Sequence, residues 1–397
     1  MSVRIGALRA RRPTAAAALA ALIMGTACAA PTPSPSATQR DVRPAGWRAL
    51  PDGPLSARYD AVAFWTGSEV IVLGGNDGLP CPPNADCARP AGPALRDGAA
   101  FDPSTDTWRS LSDAPISLGS VDGALVDGIL YLLVVDVAPN GVGQETFLGY
   151  DIAGDRWEEL PPPPGDEPHG AIVAMGTAVV AFRRSQESGP GVDVVYDPAS
   201  RTWTDLPLDP LAPAFDRSLV WTEVDVVLLG IPLDPRRPPD AAPVYGAAVF
   251  DAEVKSWQRL PDSEVVSWNP TWFAAGGSIV NPSIGSANGG EVNNWGREYP
   301  FGGILTPPAQ WSPLPPLPPG GGQFQGPAAG GGEYAVSSEG WALHVPSGTW
   351  VPISRLPERI DAGAAAVWAG DELVLFGGVR WDEGMPTLLK TAWAWRP

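Results

Sequence analysis

Short runs of consecutive apolar residues alternate along the chain with clusters of Gly, Pro, Ser and Asp. Two clear examples are Glu69-Val-Ile-Val-Leu-Gly-Gly75 and Glu372-Leu-Val-Leu-Phe-Gly-Gly378. Runs of this length, bounded by turn residues, predict β-strands rather than helices. The abundance of Gly (46) and Pro (47) among 397 residues agrees with many turns. The pattern therefore predicts an all-β chain.

Seven tryptophans recur at a mean step of about 50 residues, which is a period typical of repeat proteins. They are Trp47, Trp108, Trp157, Trp203, Trp257, Trp311 and Trp350. Each is followed three positions later by an aliphatic residue, and these are Leu50, Leu111, Leu160, Leu206, Leu260, Leu314 and Ile353. One tryptophan per unit at the same place predicts a structural role in packing unit against unit.

An aromatic residue followed by Asp precedes four of these tryptophans at a fixed distance. The pairs are Phe101-Asp102, Tyr150-Asp151, Tyr196-Asp197 and Phe250-Asp251. Asp with Pro, Ser or Gly favours a tight turn, so each unit predicts a hairpin whose returning strand begins at Trp. In the fifth and sixth units Leu305 and His344 replace the Asp. Two further apolar strands precede each hairpin, which makes four strands per unit.

These features resemble the kelch-repeat family, whose units combine a strand ending in Gly-Gly, an aromatic-Asp pair, and Trp with a following Leu. The resemblance covers residues 46–397 and implies a seven-bladed β-propeller of four-stranded antiparallel blades. It further suggests a bacterial, exported protein with the architecture of the central domain of galactose oxidase, without the copper site.

The two ends of the repeat region complement each other. The segment around Trp47 forms an outer strand without preceding partners, and the C-terminus stops after a third strand near Trp395. We therefore expect the N-terminal strand to complete the last blade, which removes an exposed sheet edge.

The first 27 residues have the pattern of an export signal: arginines, a short apolar stretch from Ala15 to Met24, and small residues. Thr26-Ala27-Cys28 resembles the end of a bacterial lipobox, although Gly25 stands where an aliphatic residue is expected. Lipidation of Cys28 is therefore predicted, with ordinary cleavage near Cys28 as the alternative. Residues 28–45 form a Pro/Ser-rich tether. This organisation predicts an extracytoplasmic protein, either a cell-envelope lipoprotein or a secreted one.

Cys81 and Cys87 form a close pair in Pro-Cys-Pro-Pro-Asn-Ala-Asp-Cys. In an oxidising compartment such a pair predicts a disulfide in a small loop. Nearby Asn and Asp oxygens leave Ca²⁺ binding open as an alternative, but they lack a regular ligand spacing. We therefore expect no metal and no cofactor.

A formal net charge of −18 argues against nucleic acid and anionic lipid as partners, because both require basic surfaces. We expect membrane contact only through the N-terminal lipid, and a monomeric chain. The acidity itself is typical of soluble exported proteins.

Long connections are expected on one face of the propeller, and that face should carry function. The segment from Asn281 to Tyr299 combines aromatic and amide side chains, which suit recognition of a glycan or a protein. The candidate binding residues are Trp268, Trp272, Asn288, Asn293, Asn294, Trp295, Arg297 and Tyr299. The alternative is a flexible insertion whose tryptophans pack on blade edges.

No catalytic constellation is visible in the sequence, so we expect a binding or scaffold module rather than an enzyme. The resemblance leaves an alternative, because kelch-like propellers include copper-radical sugar oxidases and sialic acid isomerases. That oxidase family needs two His, two Tyr and a Cys, whereas His169 and His344 fall in different blades. A purely structural subunit of an envelope assembly is a third possibility.

Overall fold

The computed structural model describes residues 44–82, 85, 93–137, 143–165, 167–238, 241–252, 254–284, 291–292, 297–319, 322, 324 and 326–397. Residues 44–397 form one compact unit. Among the described residues, the regular structure consists of short β-strands and one 3-10 helix, at Val345–Ser347. The predicted all-β class is confirmed.

Seven four-stranded antiparallel sheets follow one another along the chain as blades. The first strand, β1 (Gly46–Ala49), belongs to the last blade. Blades one to three are β2 (Val62–Trp65), β3 (Val70–Leu73), β4 (Gly98–Asp102) and β5 (Thr107–Leu111); β6 (Ser120–Val126), β7 (Ile129–Val137), β8 (Gly143–Asp151) and β9 (Arg156–Leu160); and β10 (Gly170–Met175), β11 (Ala178–Arg183), β12 (Val194–Asp197) and β13 (Thr202–Asp205).

The remaining blades have the same order, and two of them carry an inserted hairpin. Blade four is β14 (Ala214–Trp221), β15 (Val226–Pro232), β16 (Gly246–Asp251) and β17 (Ser256–Arg259); blade five is β18 (Phe273–Ala275), β19 (Ser278–Asn281), β22 (Gly303–Thr306) and β23 (Gln310–Ser312), with the insert β20 (Glu291–Val292) and β21 (Tyr299–Pro300). Blade six is β24 (Ala329–Gly331), β25 (Tyr334–Ser337), β26 (Trp341–His344) and β27 (Thr349–Pro352); blade seven is β28 (Ala365–Ala369), β29 (Glu372–Phe376), β32 (Ala392–Arg396) and β1, with the insert β30 (Val379–Asp382) and β31 (Met385–Leu388).

The hydrophobic core is divided into seven layers, one between each pair of neighbouring blades. Strand β3 shows why the sequence reads as a continuous apolar run. Its Val70 and Val72 face blade seven, whereas Ile71 and Leu73 face blade two, and all four are fully buried. A strand packed on both faces has no solvent side and so needs no polar alternation.

The seven repeated tryptophans connect the outer strands of neighbouring blades. Each indole Nε1 donates a hydrogen bond of 2.7–2.9 Å to a backbone carbonyl of the preceding blade. The acceptor is always the residue directly after the aliphatic residue that stands three positions after the tryptophan of the preceding blade. Trp108 donates to Pro51, Trp157 to Ser112, Trp203 to Pro161, Trp257 to Pro207, Trp311 to Pro261, Trp350 to Pro315 and Trp47 to Ser354. The predicted role in packing blade against blade is confirmed.

Degenerate repeats keep the hairpin by two different routes. In the first four blades the aromatic residue pairs with Trp across the hairpin, as Phe101 does with Trp108. In blade five the turn is one residue shorter, so Leu305 pairs with Trp311 and takes the place of the aromatic residue rather than that of Asp. In blade six His344 takes the place of Asp, and its Nδ1 lies 2.6 Å from Ser347 Oγ in the turn.

The N-terminal strand closes the ring. Strand β1 pairs antiparallel with β32, with Trp47 opposite Trp395. Arg48 adds an ion pair of 2.9 Å to the buried Glu372 of β29 and another of 3.1 Å to Asp106 of blade one. The predicted closure is therefore confirmed, and both ends of the repeat region share one sheet.

The double glycines allow close approach of neighbouring backbones. Gly75 and Gly378 have φ angles of 88° and 106°, which strongly favour glycine. A Cβ at Gly75 would lie 2.7 Å from the carbonyl oxygen of Tyr59, and one at Gly378 would lie 2.9 Å from that of Ala362. Both glycines thus allow the end of the second strand of a blade to lie against the segment that leads into the first, innermost strand of the same blade.

Within the described part of the chain, no helix is both long enough and apolar enough to cross a bilayer.

Deletion of residues 41–52 is expected to lower the melting temperature and to raise the rate of limited proteolysis. The deletion removes β1 and with it the fourth strand of blade seven, Trp47, and the carbonyl that accepts the Trp108 bond. Thermal unfolding followed by circular dichroism checks this. Deletion of residues 31–40 is the matched control. A 41–52 deletion that melts like the parent would contradict closure by this strand.

Candidate functional site

The two faces of the propeller differ in the length of their connections. Links between first and second strands and between third and fourth strands are short, such as residues 66–69, 103–106 and 127–128. Links between second and third strands and between blades reach much greater lengths, such as residues 74–97 and 282–302. The hairpin inserts β20–β21 and β30–β31 belong to this second set. The predicted long-loop face is therefore confirmed.

Exposed large apolar side chains are concentrated on the long-loop face. Among the described residues, two of them lie on the short-hairpin face, Val224 and Val254. Those on the long-loop face are Leu79, Val192, Leu208, Trp268 and Met385. Exposed aromatic and aliphatic side chains in one region are typical of protein-binding surfaces. The long-loop face is the better candidate for such a surface.

Two adjoining cavities open on this face across blades five, six, seven and one. The first, of about 550 Å³, lies where the chain enters the inner strands of blades one, six and seven; we call it the axial cavity. Its lining includes Asp60, Pro327, Glu339, Asp361 and Gly363. The second, of about 230 Å³, lies between blades five and six; we call it the lateral cavity, and it is lined in part by Trp268, Ile284 and Phe301. Ser338 and Glu339 border both cavities.

A left-handed residue lies near the start of the first strand in three blades, two residues before β2 and β28 and inside β14. Asp60, Asp216 and Gly363 have φ angles of 53°, 49° and 68°. Each stands five positions before a tryptophan that lies on the inner strand, namely Trp65, Trp221 or Trp368. At Asp60 the bend lets the backbone NH donate a 2.8 Å hydrogen bond to the carbonyl of Gly363 in the neighbouring blade. The bend places the Asp60 side chain at the axial cavity.

A buried arginine holds the chain segment that leads to Asp60. Arg58 has no exposed surface, and its guanidinium makes two hydrogen bonds of 2.7 and 2.8 Å to the carboxylate of Asp97. The same group donates to the carbonyls of Ser56 and Gly74 at 3.1 Å. Hydrogen bonding and charge from Arg58 lower the pKa of Asp97. Arg58 thereby fixes the chain immediately before Tyr59 and Asp60.

Carboxylates dominate the charge of the axial cavity. Asp60, Glu339 and Asp361 line it, and desolvation raises the pKa of Asp60. Asp361 is paired with Arg359 at 2.7 Å and accepts a hydrogen bond of 2.7 Å from the backbone NH of Trp381. Incomplete hydration without a compensating cation is the physical cause of the raised pKa of Asp60.

Three of the predicted binding residues lie around the inserted hairpin of blade five. Trp268 is 61% exposed and packs edge-on against Phe301, with ring centroids 5.6 Å apart. The Arg297 guanidinium lies 4.3 Å from the ring centroid of Tyr299 and forms a 2.9 Å ion pair with Glu264. Parallel pairing of Val266 with Phe301 holds these two segments side by side.

The other predicted binding residues fall elsewhere. Trp272 is buried between blades four and five, where it packs on Tyr245 and Trp311, so its placement in the binding set is corrected to the core. The cause is its position directly before β18, where the chain enters the layer between the sheets. Asn288, Asn293, Asn294 and Trp295 lie outside the described residues.

The sequence did not single out Asp60, Ile284, Phe301, Glu339 or Asp361, which come from four different blades. One available signal was the spacing of Asp60 and Asp216 to a following tryptophan. The remaining residues have no such pattern, because they are brought together by ring closure.

Cysteine and histidine residues do not form a catalytic group with each other in the described residues. Cys81 is disulfide-bonded, while Cys87 lies outside the described part, so their pairing stays a prediction. Cys28 also lies outside it. His169 contacts Glu145 of blade two at 3.3 Å, whereas His344 lies in blade six. Within the described residues, no cluster of three or more His, Cys, Asp or Glu side chains is arranged to hold a metal ion.

Comparison with known proteins gives one weak but extended similarity. Kelch-like protein terF of Aspergillus terreus (strain NIH 2624 / FGSC A1156) is 22% identical over 367 residues. The similarity covers 86% of this chain and 66% of the relative, so the chain spans slightly less than two thirds of that protein. No protein-family profile matches the chain. The similarity and the seven four-stranded blades together support a kelch-repeat propeller.

Replacement Arg58→Met is expected to destabilise the fold by about 2–3 kcal/mol at pH 7, because charge-assisted hydrogen bonds to Asp97 and two carbonyls are lost. The folded pKa of Asp97 is lowered, so its contribution is present above the unfolded pKa, about 3.9, and is lost as the pH falls through the folded value. The difference between Arg58→Met and the parent should therefore shrink below about pH 4. Urea unfolding at pH 7, 5 and 3 measures it; Arg236→Met, at an exposed arginine, is the control. A difference that stays constant over this range contradicts the assignment.

Proposed function

We propose that the chain is an exported, lipid-anchored kelch-type propeller that binds another protein at the cell envelope through its long-loop face. The single observation that supports binding on this face is the groove formed by the axial and lateral cavities, which Trp268 and Phe301 border. An exposed aromatic side chain such as Trp268, beside a concave and partly apolar surface, is typical of interaction hot spots. The name of the relative, a kelch-like protein, agrees with a kelch-type propeller.

Export and anchoring are supported by the N-terminal sequence. The charged segment, the short apolar stretch and Cys28 have the order of a lipoprotein signal. A Pro/Ser-rich stretch follows, which would separate the propeller from the membrane surface. The predicted disulfide between Cys81 and Cys87 suits the same compartment.

An enzymatic role has less support. The two histidines lie in different blades, and the His344 ring bonds within a turn. Glycan binding at the lateral cavity is the alternative for the same groove, since an exposed indole also suits stacking on a sugar ring.

Replacement Cys28→Ser is expected to move the protein from the membrane fraction to the soluble envelope or medium fraction, because the lipid attachment site is lost. Fractionation and immunoblotting in a bacterial host measure this. Replacement Cys81→Ser, which removes a different cysteine, should leave the membrane association unchanged. Equal distribution of the parent and Cys28→Ser would show that Cys28 is not the anchor.

A photoreactive amino acid at position 268 is expected to cross-link a protein partner in intact cells. The matched control carries the same group at position 254, because Trp268 and Val254 are 61% and 67% exposed but lie on opposite faces. Mass spectrometry of the adducts identifies the partner. Adducts formed equally from both positions, or from position 254 alone, contradict binding on the long-loop face. Copper analysis of the purified protein together with a sugar-oxidation assay tests the enzymatic alternative.

A further inference from the structure

The axial and lateral cavities form one continuous groove with two chemically different ends. Ser338 and Glu339, between the second and third strands of blade six, lie at the junction. The lateral end has an apolar wall of Trp268, Ile284 and Phe301. The axial end is bordered by Asp60, Glu339 and Asp361. A ligand that follows the groove meets apolar surface first and carboxylates next.

Negative charge in the groove exceeds the positive charge that could neutralise it. Among the described residues that line the two cavities, none is Lys or Arg. Arg359 compensates Asp361 from the neighbouring cavity between blades six and seven. Among the same described residues, Asp60 and Glu339 have no ion-pair partner. Two carboxylates therefore remain available to a cation.

The position of Asp60 strengthens the argument from charge. Its left-handed backbone is fixed by the hydrogen bond to Gly363 and by Arg58 two residues earlier, and its side chain lines the axial cavity. Asp60 is exposed to a ligand in the groove, and desolvation raises its pKa, an effect that a cation placed beside it would oppose.

The net charge of the whole chain favours some ligands of the groove over others. At −18, the protein attracts a cationic partner over a distance and repels a second copy of itself. A neutral sugar would use the apolar wall but would leave the two carboxylates without compensation. A peptide with a basic side chain next to an aromatic or aliphatic one uses both ends of the groove.

We propose that the groove binds a partner-protein segment in which Arg or Lys stands beside an apolar side chain, the apolar group packing on Trp268 and Phe301 and the cation pairing with Asp60 and Glu339. This inference rests on the proposed protein-binding function and specifies its partner by chemical class. The cation supplies the positive charge that none of the described residues brings to Asp60 and Glu339. The apolar group covers the exposed indole.

Display selection with random twelve-residue peptides on the purified full-length protein tests the proposal. We expect enrichment of peptides with Arg or Lys next to an apolar residue. The double variant Asp60→Asn/Glu339→Gln should weaken the affinity for an enriched peptide roughly tenfold, because two ion pairs with the peptide are lost. The matched control Asp205→Asn/Glu159→Gln removes the same charge from exposed positions on the outer strands of blades three and two, and should leave the affinity unchanged. Melting curves confirm that both double variants fold.

Each alternative outcome has a defined meaning. Enrichment of neutral or acidic peptides whose binding is lost in Trp268→Ala overturns the cationic occupant but leaves protein binding on this face intact. Equal binding to the parent and to both the Asp60/Glu339 and Trp268 variants places the peptide elsewhere and contradicts both proposals. Failure to enrich any peptide, with binding of a glycan array abolished by Trp268→Ala, identifies a sugar site and also contradicts both.

Discussion

The hydrogen bond from an outer-strand indole to a carbonyl of the preceding blade is the interaction on which the ring depends. In each blade this bond joins the outer strand to the segment that follows the outer strand of the preceding blade. An indole has the length, a large apolar face that packs on the buried aliphatic and aromatic residues, and one donor at its far edge. The last link, from Trp47 to Ser354, uses the N-terminal strand and makes the ring continuous.

Because the ring is held together by its outer strands and by the layers packed between blades, the loops on one of its faces are only weakly constrained. The short hairpins are constrained by their turns, as the Asp102 carboxylate shows by accepting hydrogen bonds from Ser104. On the opposite face the connections can lengthen and vary without disturbing the seven layers. The inserts β20–β21 and β30–β31, the two cavities and Trp268 all lie there. Stability and recognition are therefore assigned to different parts of each blade.

Buried and exposed charges show the same division of roles. Arg58 and Arg217 are fully buried and are paired with carboxylates, Asp97 for the first and Asp193 with Asp209 for the second. Such pairs fix chain segments, since a buried guanidinium without partners would be strongly unfavourable. Asp60 differs, because it is exposed at the axial cavity and has no ion-pair partner among the described residues.

The sequence by itself determined the class of fold, the number of blades, the closing strand and the structural role of the seven tryptophans. These features repeat at a regular spacing. The structure of each repeat is determined by the residues of its own turns and by the packing of its one repeated tryptophan. It placed Trp268 and Arg297 correctly on the loop face but also included Trp272, because an indole outside the repeat has no local signal that distinguishes core from surface. The groove required the tertiary structure: Asp60, Phe301, Glu339 and Asp361 are far apart in the chain, and they meet only because blades five, six, seven and one are brought next to each other when the ring closes.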